Sequence, residues 1–413
     1  MILLAAHAVC AVAAIYCTVV CLYLLIITIA AYLPGRRPAV SQEFVSCAVV
    51  IPAHNEALQI GRTVEIVRRS DYPEDRFQVC VIADNCDDET ASIARAAGAA
   101  VFERTDPANR GKGQALDWCF RSHAEVLDAH AATVIIDADS VVDAGFLASI
   151  TASLFQPGIA AVQSNNSVAN PRAHWRTALT CASFALVNCV RPAGLARLGT
   201  SAGLKGNGMA FRSEVLARHG WPAHSLVEDI EFGVRLLLEG HRTVFDADAR
   251  ISSDMPANRD QADSQRRRWE FGRFEVARRF IPVLIRATVA RRTPRYLGAL
   301  MELIVPPLSI LVLLEGAFLV LSPFVHPLWT AVFALCAAMT VLHVGLGLHY
   351  CRMPGRVWLA FLAAPAFLLW KVVLYGGLIA TRGQKGWVRT LRDTELPAHA
   401  AKEPNGEDGG PCA

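Results

Sequence analysis

Charged residues are scarce in this sequence, making up 19% of its 413 residues, whereas 53% are hydrophobic. The mean hydropathy of +0.32 argues against an ordinary soluble protein. It also argues against intrinsic disorder, which requires low hydrophobicity. Lys and Arg number 40 against 37 Asp and Glu, so the net charge of +3 gives no indication of a nucleic-acid partner. We expect a membrane protein with one substantial soluble domain.

Paired cysteine motifs are also absent. The 12 cysteines include no Cys-x-x-Cys pair and no tight Cys/His cluster, which excludes the usual zinc and disulfide frameworks. Several cysteines lie inside apolar runs, where a free thiol behaves as a small hydrophobic group. Because free thiols are typical of a reducing compartment, we place the soluble domain in the cytoplasm.

The first 35 residues contain no Lys, Arg, Asp or Glu. A membrane-spanning helix needs about 20 apolar residues, so residues 1–35 are predicted to form an N-terminal transmembrane helix. A cleavable signal peptide is the alternative, but the apolar run is too long and lacks a basic start. Arg36 and Arg37 follow at once and place the next domain on the cytoplasmic side.

Three further apolar stretches form a predicted C-terminal membrane region over residues 296–381. They run over 296–322, 328–350 and 357–381. Three full crossings would leave the tail outside, whereas positive charge after residue 381 predicts a cytosolic tail over 382–413. The charged residues concerned are Arg382, Lys385, Arg389 and Arg392. The chain is therefore predicted to be multi-pass in the cell inner (plasma) membrane, with one stretch that is not a simple span.

Two interpretations resolve this conflict. The last stretch contains Pro365 and Lys371, and a charge in mid-membrane costs about 3 kcal/mol on insertion scales. This stretch is our preferred candidate for an interfacial or re-entrant segment. Alternatively, Pro306 and Pro307 break the first stretch into two pieces.

Residues 45–280 alternate short β-branched runs with helical stretches, which predicts an α/β domain. The predicted strands are 46–51, 78–83, 100–102, 133–136 and 160–163. The predicted helices are 57–69, 89–97, which ends at Gly98, and 114–128. Strands and helices in this order predict a mostly parallel sheet covered on both faces. In such sheets ligands bind beyond the carboxyl ends of the strands.

Acidic side chains follow three of these strands. Glu56 follows the first, Asp84 the second, and Asp137 with Asp139 the fourth. Each taken singly is also explained by turn or cap chemistry. The Asp137-x-Asp139 pair after a buried strand predicts a site for Mg²⁺ and substrate phosphates. Lys112 lies between two glycines in a segment that lacks the Walker form, but it could contact a phosphate as a point charge.

Two neighbouring acids lie at the start of a later amphipathic helix. Ser225 and Glu228 have the spacing of a capping box, which predicts that Glu228 caps the helix. Asp229 has no such role and is a candidate general base for an attacking hydroxyl. The alternative is an acid exposed to solvent in the first turn.

A strongly basic stretch precedes the C-terminal membrane region. Gln265, Arg268 and Trp269 stand at i, i+3 and i+4, so they share one face of a helix. An arginine there can bind a diphosphate bidentately, while the indole offers a platform for a sugar or a lipid. Residues 266–295 contain ten Arg against two Glu, and 281–295 is predicted to lie on anionic headgroups. The outlying arginines assigned to this membrane surface are Arg278, Arg279, Arg291 and Arg292.

Seven motifs in chain order resemble one enzyme family. They are IPAHNE, VIADNCDD, RGKGQALDW, IIDADS, GNGMAFR, LVEDIEF and QRRRW. Over residues 45–275 the sequence resembles the membrane-bound processive members of glycosyltransferase family 2, such as cellulose, chitin, hyaluronan and poly-N-acetylglucosamine synthases. Ceramide glucosyltransferases look similar too. The resemblance implies a GT-A fold, a nucleotide-diphospho-sugar donor, Mg²⁺ or Mn²⁺, and inversion at the anomeric carbon.

The resemblance also implies roles for individual residues. Glu56 and Asp84 would hold the nucleoside, and Asp137 and Asp139 the metal and the diphosphate. Asp229 matches the aspartate that deprotonates the acceptor hydroxyl. The residues that match the motif for the diphosphate and the acceptor end are Gln265, Arg268 and Trp269.

The expected function is an inverting hexosyltransferase that extends a cell-surface or extracellular polysaccharide from a UDP-sugar. The chain has fewer membrane segments than the large synthases, so a polymer would need an export or channel partner. The first alternative is transfer of a single sugar to a ceramide-, hopanoid- or polyprenyl-like lipid in the bilayer. A second alternative is a non-catalytic membrane scaffold or export partner with a decayed transferase domain, against which the intact Asp137, Asp139, Asp229 and Arg268 argue.

Overall fold

A computed structural model describes residues 1–35, 43–255 and 259–380 of the chain. The Arg36–Arg37 pair and the predicted cytosolic tail over 382–413 lie outside the described residues. The topology inferred from their charges therefore stays a prediction.

Eight strands form a single mostly parallel mixed sheet in the order β3-β2-β1-β4-β7-β6-β8-β5. The strands are β1 (Cys47–Ala53), β2 (Phe77–Asp84), β3 (Ala100–Arg104), β4 (Ala132–Ile135), β5 (Ser140–Val142), β6 (Ala161–Val168), β7 (Met209–Arg212) and β8 (Thr243–Ser253). Strands β3, β2, β1 and β4 are parallel, as are β6 and β8, whereas β7 pairs antiparallel with β4 and β6. All five predicted strands are confirmed.

The sheet is buried on both faces, as its continuous apolar strands predict. In β1, Val49 and Ile51 belong to one hydrophobic core and Val50 belongs to the core on the opposite face. Because side chains alternate along a strand, one apolar run supplies both cores. The predicted α/β architecture is therefore confirmed.

Helices cover the two faces of the sheet. They are α2 (Ile60–Arg68), α3 (Thr90–Ala96), α4 (Lys112–Ser122), α5 (Glu125–Asp128), α6 (Phe146–Leu154), α7 (Trp175–Phe184), α8 (Arg191–Arg197), α9 (Ser213–His219) and α10 (Glu228–Leu238). The helix predicted over 114–128 is two helices, because the chain leaves helical geometry at His123. Gly98 has φ +94°, so the predicted stop after α3 is confirmed.

The remaining helices are apolar except for the basic helix α11. They are α1 (Ile2–Ala31), α11 (Arg259–Arg291), α12 (Pro294–Ile304), α13 (Leu308–Leu321), α14 (Pro327–Tyr350), α15 (Gly355–Leu359) and α16 (Ala364–Ala380). In the described part of the chain, four helices are long and apolar enough to cross a membrane, or five if a bent pair counts as one span. One of them, Trp175–Arg197, was not predicted from the sequence. It joins α7 and α8 through a π-helical turn, Ala185–Val190.

The predicted stretch 296–322 is not a straight span. Helices α12 and α13 meet at 66° across the break that contains Pro306 and Pro307. This bend agrees with the alternative interpretation, in which the two prolines break the first stretch into two pieces. The last stretch is irregular just before Pro365, because a 3₁₀ segment, Ala360–Ala363, separates α15 from α16, in which Pro365 is the second residue. Lys371 is buried there in an ion pair with Glu270 of α11.

The predicted basic interfacial segment belongs to the long helix α11, which continues through Pro282. Arg279 lies 3.0 Å from Glu231 of α10, and Arg291 donates to the carbonyl oxygen of Leu238 at 3.1 Å. These two guanidinium groups therefore bond to the soluble domain, which the sequence did not predict.

Candidate functional site

The carboxyl ends of β2, β1 and β4 form the rim of the site. Ala53 of β1 pairs with Ala83 of β2, so Glu56 and Asp84 follow neighbouring strands. Strand β4 pairs with the other side of β1 and leads into Asp137. Because adjacent strands lie about 4.8 Å apart, Asp84 and Asp137 stand roughly 10 Å apart along the rim. Such a rim can bind an elongated ligand.

Asp84 is held at the rim by an ion pair that the sequence does not predict. Its Oδ1 accepts from Arg104 of β3 at 2.6 Å and from the side-chain amide of Asn85 at 2.9 Å. Both side chains of the pair are almost fully buried. Arg104 also contacts Asp106 at 2.9 Å. The Asp84 carboxylate is therefore fixed in orientation.

Lys112 joins two parts of the site. At the start of α4, its Nζ lies 2.6 Å from Oδ1 of Asp137 and 2.6 Å from the carbonyl oxygen of Gly206. Burial disfavours the ammonium, but the carboxylates of Asp137 and Glu228 outweigh it and raise the pKa of Lys112. Lys112 is thus a permanent positive charge beside the Asp-x-Asp turn, as its predicted phosphate contact requires.

Asn207 organises the Asp137–Asp139 turn. Its Oδ1 accepts from the Asp137 backbone N–H at 3.0 Å and from the Ser140 hydroxyl at 3.1 Å. A Cβ on the adjacent Gly208 would lie 1.9 Å from the Ser164 hydroxyl oxygen, and Gly208 has φ +68°. Only glycine fits there. The Gly-Asn-Gly pattern was visible in the sequence, but no role was assigned to Asn207.

Replacing Asn207 with Ala is expected to lower kcat/KM about 10-fold to 100-fold. The Asp137 N–H and the Ser140 hydroxyl would lose their acceptor, so the turn would be less well positioned. Steady-state kinetics measure the effect. Asn170→Ala is the matched control, because Asn170 also makes side-chain bonds to backbone, but to Met255. Equal loss in both variants would contradict a specific role for Asn207.

Asp229 approaches the same loop from α10. A Cβ on Gly206 would lie 3.2 Å from Oδ2 of Asp229, so the carboxylate packs directly on the loop that binds Lys112. Burial raises the pKa of Asp229, although the Ile230 backbone N–H and the Lys112 ammonium oppose this shift. A carboxylate with a raised pKa can accept a proton, as a general base must.

The predicted capping box is wrong. Helix α10 begins at Glu228, after Val227, and no side chain caps it. The Ser225 backbone N–H instead donates to Glu231 at 3.2 Å. The helix begins later than a capping box at Ser225 requires, so Glu228 faces the site. Burial and the neighbouring Asp229 raise the pKa of Glu228 to about 7.

Glu228→Gln is expected to change the kcat/KM profile near pH 7, because it removes a carboxylate that ionises there beside the already ionised Asp229. Glu228 titrates near 7 in the folded protein and near 4.5 when unperturbed. Its raised pKa makes the folded state lose stability as the pH rises through this window. The variant should therefore gain relative thermal stability above pH 7.

Two measurements check this expectation: the pH profile of kcat/KM and thermal unfolding at several pH values. Glu214→Gln on the exposed first turn of α9 is the control, and it should leave both unchanged. A kcat/KM profile that stays unchanged near pH 7 in Glu228→Gln would show that the charge of Glu228 does not act on the base.

Gln265, Arg268 and Trp269 lie on α11 and are half-buried. Gly272, one turn beyond Arg268, packs against Leu226, with a Cβ at 272 placed 2.9 Å from that side chain. The helix therefore runs beside the segment that leads into Asp229. Trp269 faces Phe184 of α7, with 6.0 Å between ring centroids.

Asp137 and Asp139 fit a hard divalent cation. Both supply carboxylate oxygens, the ligands that Mg²⁺ and Mn²⁺ prefer, and the Asp137 side chain is 41% exposed. The Asp139 side chain is half-buried two residues along the same turn. A ligand could therefore complete the coordination from the open side of the rim.

The chain is similar to known glycosyltransferases. A family model described as glycosyltransferase like family 2 matches residues 46–272. A beta-monoglucosyldiacylglycerol synthase from Synechocystis is 25% identical over 235 residues, covering 55% of this chain and 47% of that protein. A probable glycosyltransferase, YdaM, from Bacillus subtilis is 25% identical over 249 residues, covering 58% of each chain. The chain thus spans about half the length of these curated relatives.

A solved structure supports the fold. The mannosyltransferase PcManGT from Pyrobaculum calidifontis, in complex with GDP-Man and Mn²⁺, has a TM-score of 0.50 and 20% sequence identity. The match covers 90% of this chain and 98% of that chain. The predicted GT-A-like fold is confirmed by this likeness.

Proposed function

Because the chain belongs to glycosyltransferase family 2, we propose that it transfers a sugar, with inversion, from a nucleotide-diphospho-sugar to a membrane-associated acceptor. One observation carries the proposal. Lys112 contacts both Asp137 and the Gly206 carbonyl, and Asp229 packs on Gly206, so the candidate diphosphate site and the candidate base share one small volume.

The donor would lie along the rim of the sheet. Glu56 and Asp84 would hold the nucleoside, with Asp84 oriented by Arg104. The diphosphate would then reach Asp137, roughly 10 Å away at two strand spacings. A UDP-sugar stays our prediction for the donor, on the resemblance of the motifs.

The diphosphate is the leaving group, and positive charge near it favours its departure. Lys112 provides one such charge beside Asp137, and Arg268 of α11 would provide a second. Asp137 and Asp139 would hold Mg²⁺ or Mn²⁺. When bound there, the cation supplies further positive charge to the departing diphosphate. Gln265 and Trp269 would contact the diphosphate and the acceptor end.

Asp229 would take the proton from the acceptor hydroxyl as the oxygen attacks the anomeric carbon. Its raised pKa favours proton acceptance, and the nearby Lys112 ammonium favours its ionised form. A single displacement of this kind inverts the anomeric centre, so no covalent enzyme intermediate is needed.

We propose that the acceptor is carried by a membrane lipid. This choice of acceptor is supported by relatives that are named beta-monoglucosyldiacylglycerol synthases. A growing polysaccharide, the function expected first from the sequence, is the second candidate. It is supported by a relative from Arabidopsis thaliana named glucomannan 4-beta-mannosyltransferase 7, 25% identical over 254 residues, covering 58% of this chain and 44% of that protein.

The test uses the full chain in nanodiscs with a panel of UDP- and GDP-sugars. Nucleotide release is expected with at least one donor, to be lost with EDTA and restored by Mg²⁺ or Mn²⁺. Asp139→Asn should respond weakly to added metal. Extraction and mass spectrometry of the product identify the acceptor. A single sugar on an organic-soluble lipid would contradict the polymer candidate, and no turnover with any donor would contradict the proposal.

A further inference from the structure

Five side chains form a polar group, here named the junction cluster, where the soluble domain meets the apolar helices. They are Tyr23 of α1, Arg191 of α8, Lys205 of the loop before β7, Arg273 of α11 and Glu302 of α12. They come from positions far apart in the sequence. The side chains of Arg191, Lys205 and Glu302 are 6%, 11% and 13% exposed, so the cluster is largely withdrawn from water.

The carboxylate of Glu302 contacts most of the other side chains of the junction cluster. Oε1 of Glu302 accepts from Tyr23 at 2.9 Å and from Nε of Arg191 at 2.9 Å. Oε2 lies 3.2 Å from Nζ of Lys205. The Arg273 guanidinium donates to the carbonyl oxygens of Glu302 and, at 2.8 Å, of Val305, so it caps the end of α12.

The junction cluster has more donors and more positive charge than its acceptors can satisfy. A carboxylate oxygen accepts about two hydrogen bonds, and Oε1 of Glu302 already receives two. Nη2 of Arg191 lies 2.8 Å from the same oxygen but forms no hydrogen bond within the described part of the chain. Three cations face the Glu302 carboxylate, and Lys205 also faces the Asp229 carboxylate, so at least one positive charge in the cluster has no counter-ion.

Such an excess is costly away from water unless an anion joins it. The cost is visible at Lys205, where burial and the nearby Arg191 and Arg273 guanidinium groups lower the pKa of the ammonium, against the opposing effect of Glu302. The cluster therefore has the composition of an anion-binding site in which Glu302 holds the cations in place.

A cavity of about 40 Å³ opens beside the cluster. At roughly 10–15 Å³ for each water position, it holds about three waters, comparable to the oxygens of one phosphate group. Lys205, Arg273 and Glu302 line one part of it. Its other walls are mostly apolar and include Val234, Leu237, Ala299 and Leu303. The cavity therefore has room for one phosphate group, and its apolar walls suit the first atoms of an attached apolar chain.

The cavity also lies close to Asp229, the proposed base. Gly233 of α10 lines it, and Asp229 stands four residues earlier on the same helix face. Lys205 directly precedes Gly206, on which Asp229 packs. An anion held by the junction cluster would therefore lie about one helical turn from the atom that receives the proton.

We propose that the junction cluster binds the phosphate group of a phosphate-bearing lipid acceptor and directs the reacting part of that acceptor toward Asp229. This inference rests on the proposed transferase function. It narrows the acceptor from lipids in general to lipids whose headgroup carries a phosphate or a diphosphate.

Binding and turnover are tested separately on the full chain in nanodiscs. The binding probes are farnesyl phosphate, farnesol, which has the same chain without phosphate, and inorganic phosphate. Farnesyl phosphate is expected to bind at least 10-fold more tightly than either control. Lys205→Met should remove this preference, whereas Lys205→Arg should retain it. Tyr23→Phe, which keeps every charge of the cluster, should change it by less than about threefold.

Thermal unfolding of each variant verifies folding, and the farnesyl phosphate preference of the wild type tests the proposal even if Lys205→Met does not fold. Equal binding of farnesyl phosphate and farnesol would overturn the inference. Binding of inorganic phosphate as tight as that of farnesyl phosphate would overturn the lipid assignment. Donor turnover without any phosphate preference contradicts this inference alone. Phosphate-dependent binding without turnover supports the site and contradicts the proposed function alone.

Discussion

Asp229→Asn is expected to lower kcat by about 10²-fold to 10⁴-fold, the range that a general base contributes. The amide keeps the size of the side chain but cannot take the proton from the acceptor hydroxyl. Because Asp229 packs on Gly206 and bonds to no donor-binding residue in the described structure, the affinity for the nucleotide-sugar should change little. Single-turnover kinetics and donor titration by fluorescence measure the two quantities.

The neighbouring carboxylate of Glu228 requires a control in this experiment. With a pKa of about 7, it could accept the proton in place of Asp229 and leave residual activity. The double variant Glu228→Gln, Asp229→Asn should remove this remaining activity. Asp248→Asn, at an exposed position of β8, should behave as wild type. Full activity in Asp229→Asn and in the double variant would exclude Asp229 as the base.

The second large effect is expected from Gly194→Ala, where α8 packs on α1. A Cβ at position 194 would lie 2.0 Å from the carbonyl oxygen of Ile27 and 2.7 Å from its carbonyl carbon. These are backbone atoms that cannot rotate away, so the two helices must separate. Overpacking typically costs 1–3 kcal/mol, and we expect about that loss or more here, seen as a lower Tm in detergent.

The same change should weaken the junction cluster. Arg191 stands three residues before Gly194 on α8, and Tyr23 stands four residues before Ile27 on α1, so separation of the helices pulls both from Glu302. Gly316→Ala in α13 is the matched control, because nothing lies within 4 Å of a Cβ there. Alanine is the better helix former, so that variant should be neutral or slightly more stable. A wild-type Tm in Gly194→Ala would contradict the close contact.

The α/β domain was predictable because its signals are local. Each parallel strand of the first half is a short run of β-branched residues, and such runs are recognised without knowledge of their partners. The acids after these runs, Asp84 and Asp137, could be assigned to one rim, because parallel strands end on the same side of a sheet. The roles assigned to the site residues from the resemblance stay predictions.

Residues whose role depends on a distant partner were missed. Arg104 ends an ordinary strand, and only the neighbouring strand reveals that it holds Asp84. Glu228 matched a capping box, but the helix began elsewhere and turned the carboxylate toward Lys112. Lys371 suggested an irregular membrane segment, yet it lies in an ion pair with Glu270, 101 residues earlier in the chain.

The sequence alone predicted the apolar segments, the alternation of strands and helices, and the acids at the strand ends. Each of these features depends only on the order of neighbouring residues. Tertiary structure alone decided which of two interpretations applies at Pro306 and Pro307, that Glu228 faces Lys112, and that three cations surround Glu302. The reason is that charge balance and burial depend on side chains brought together from distant positions. No local pattern of residues encodes which of them will meet.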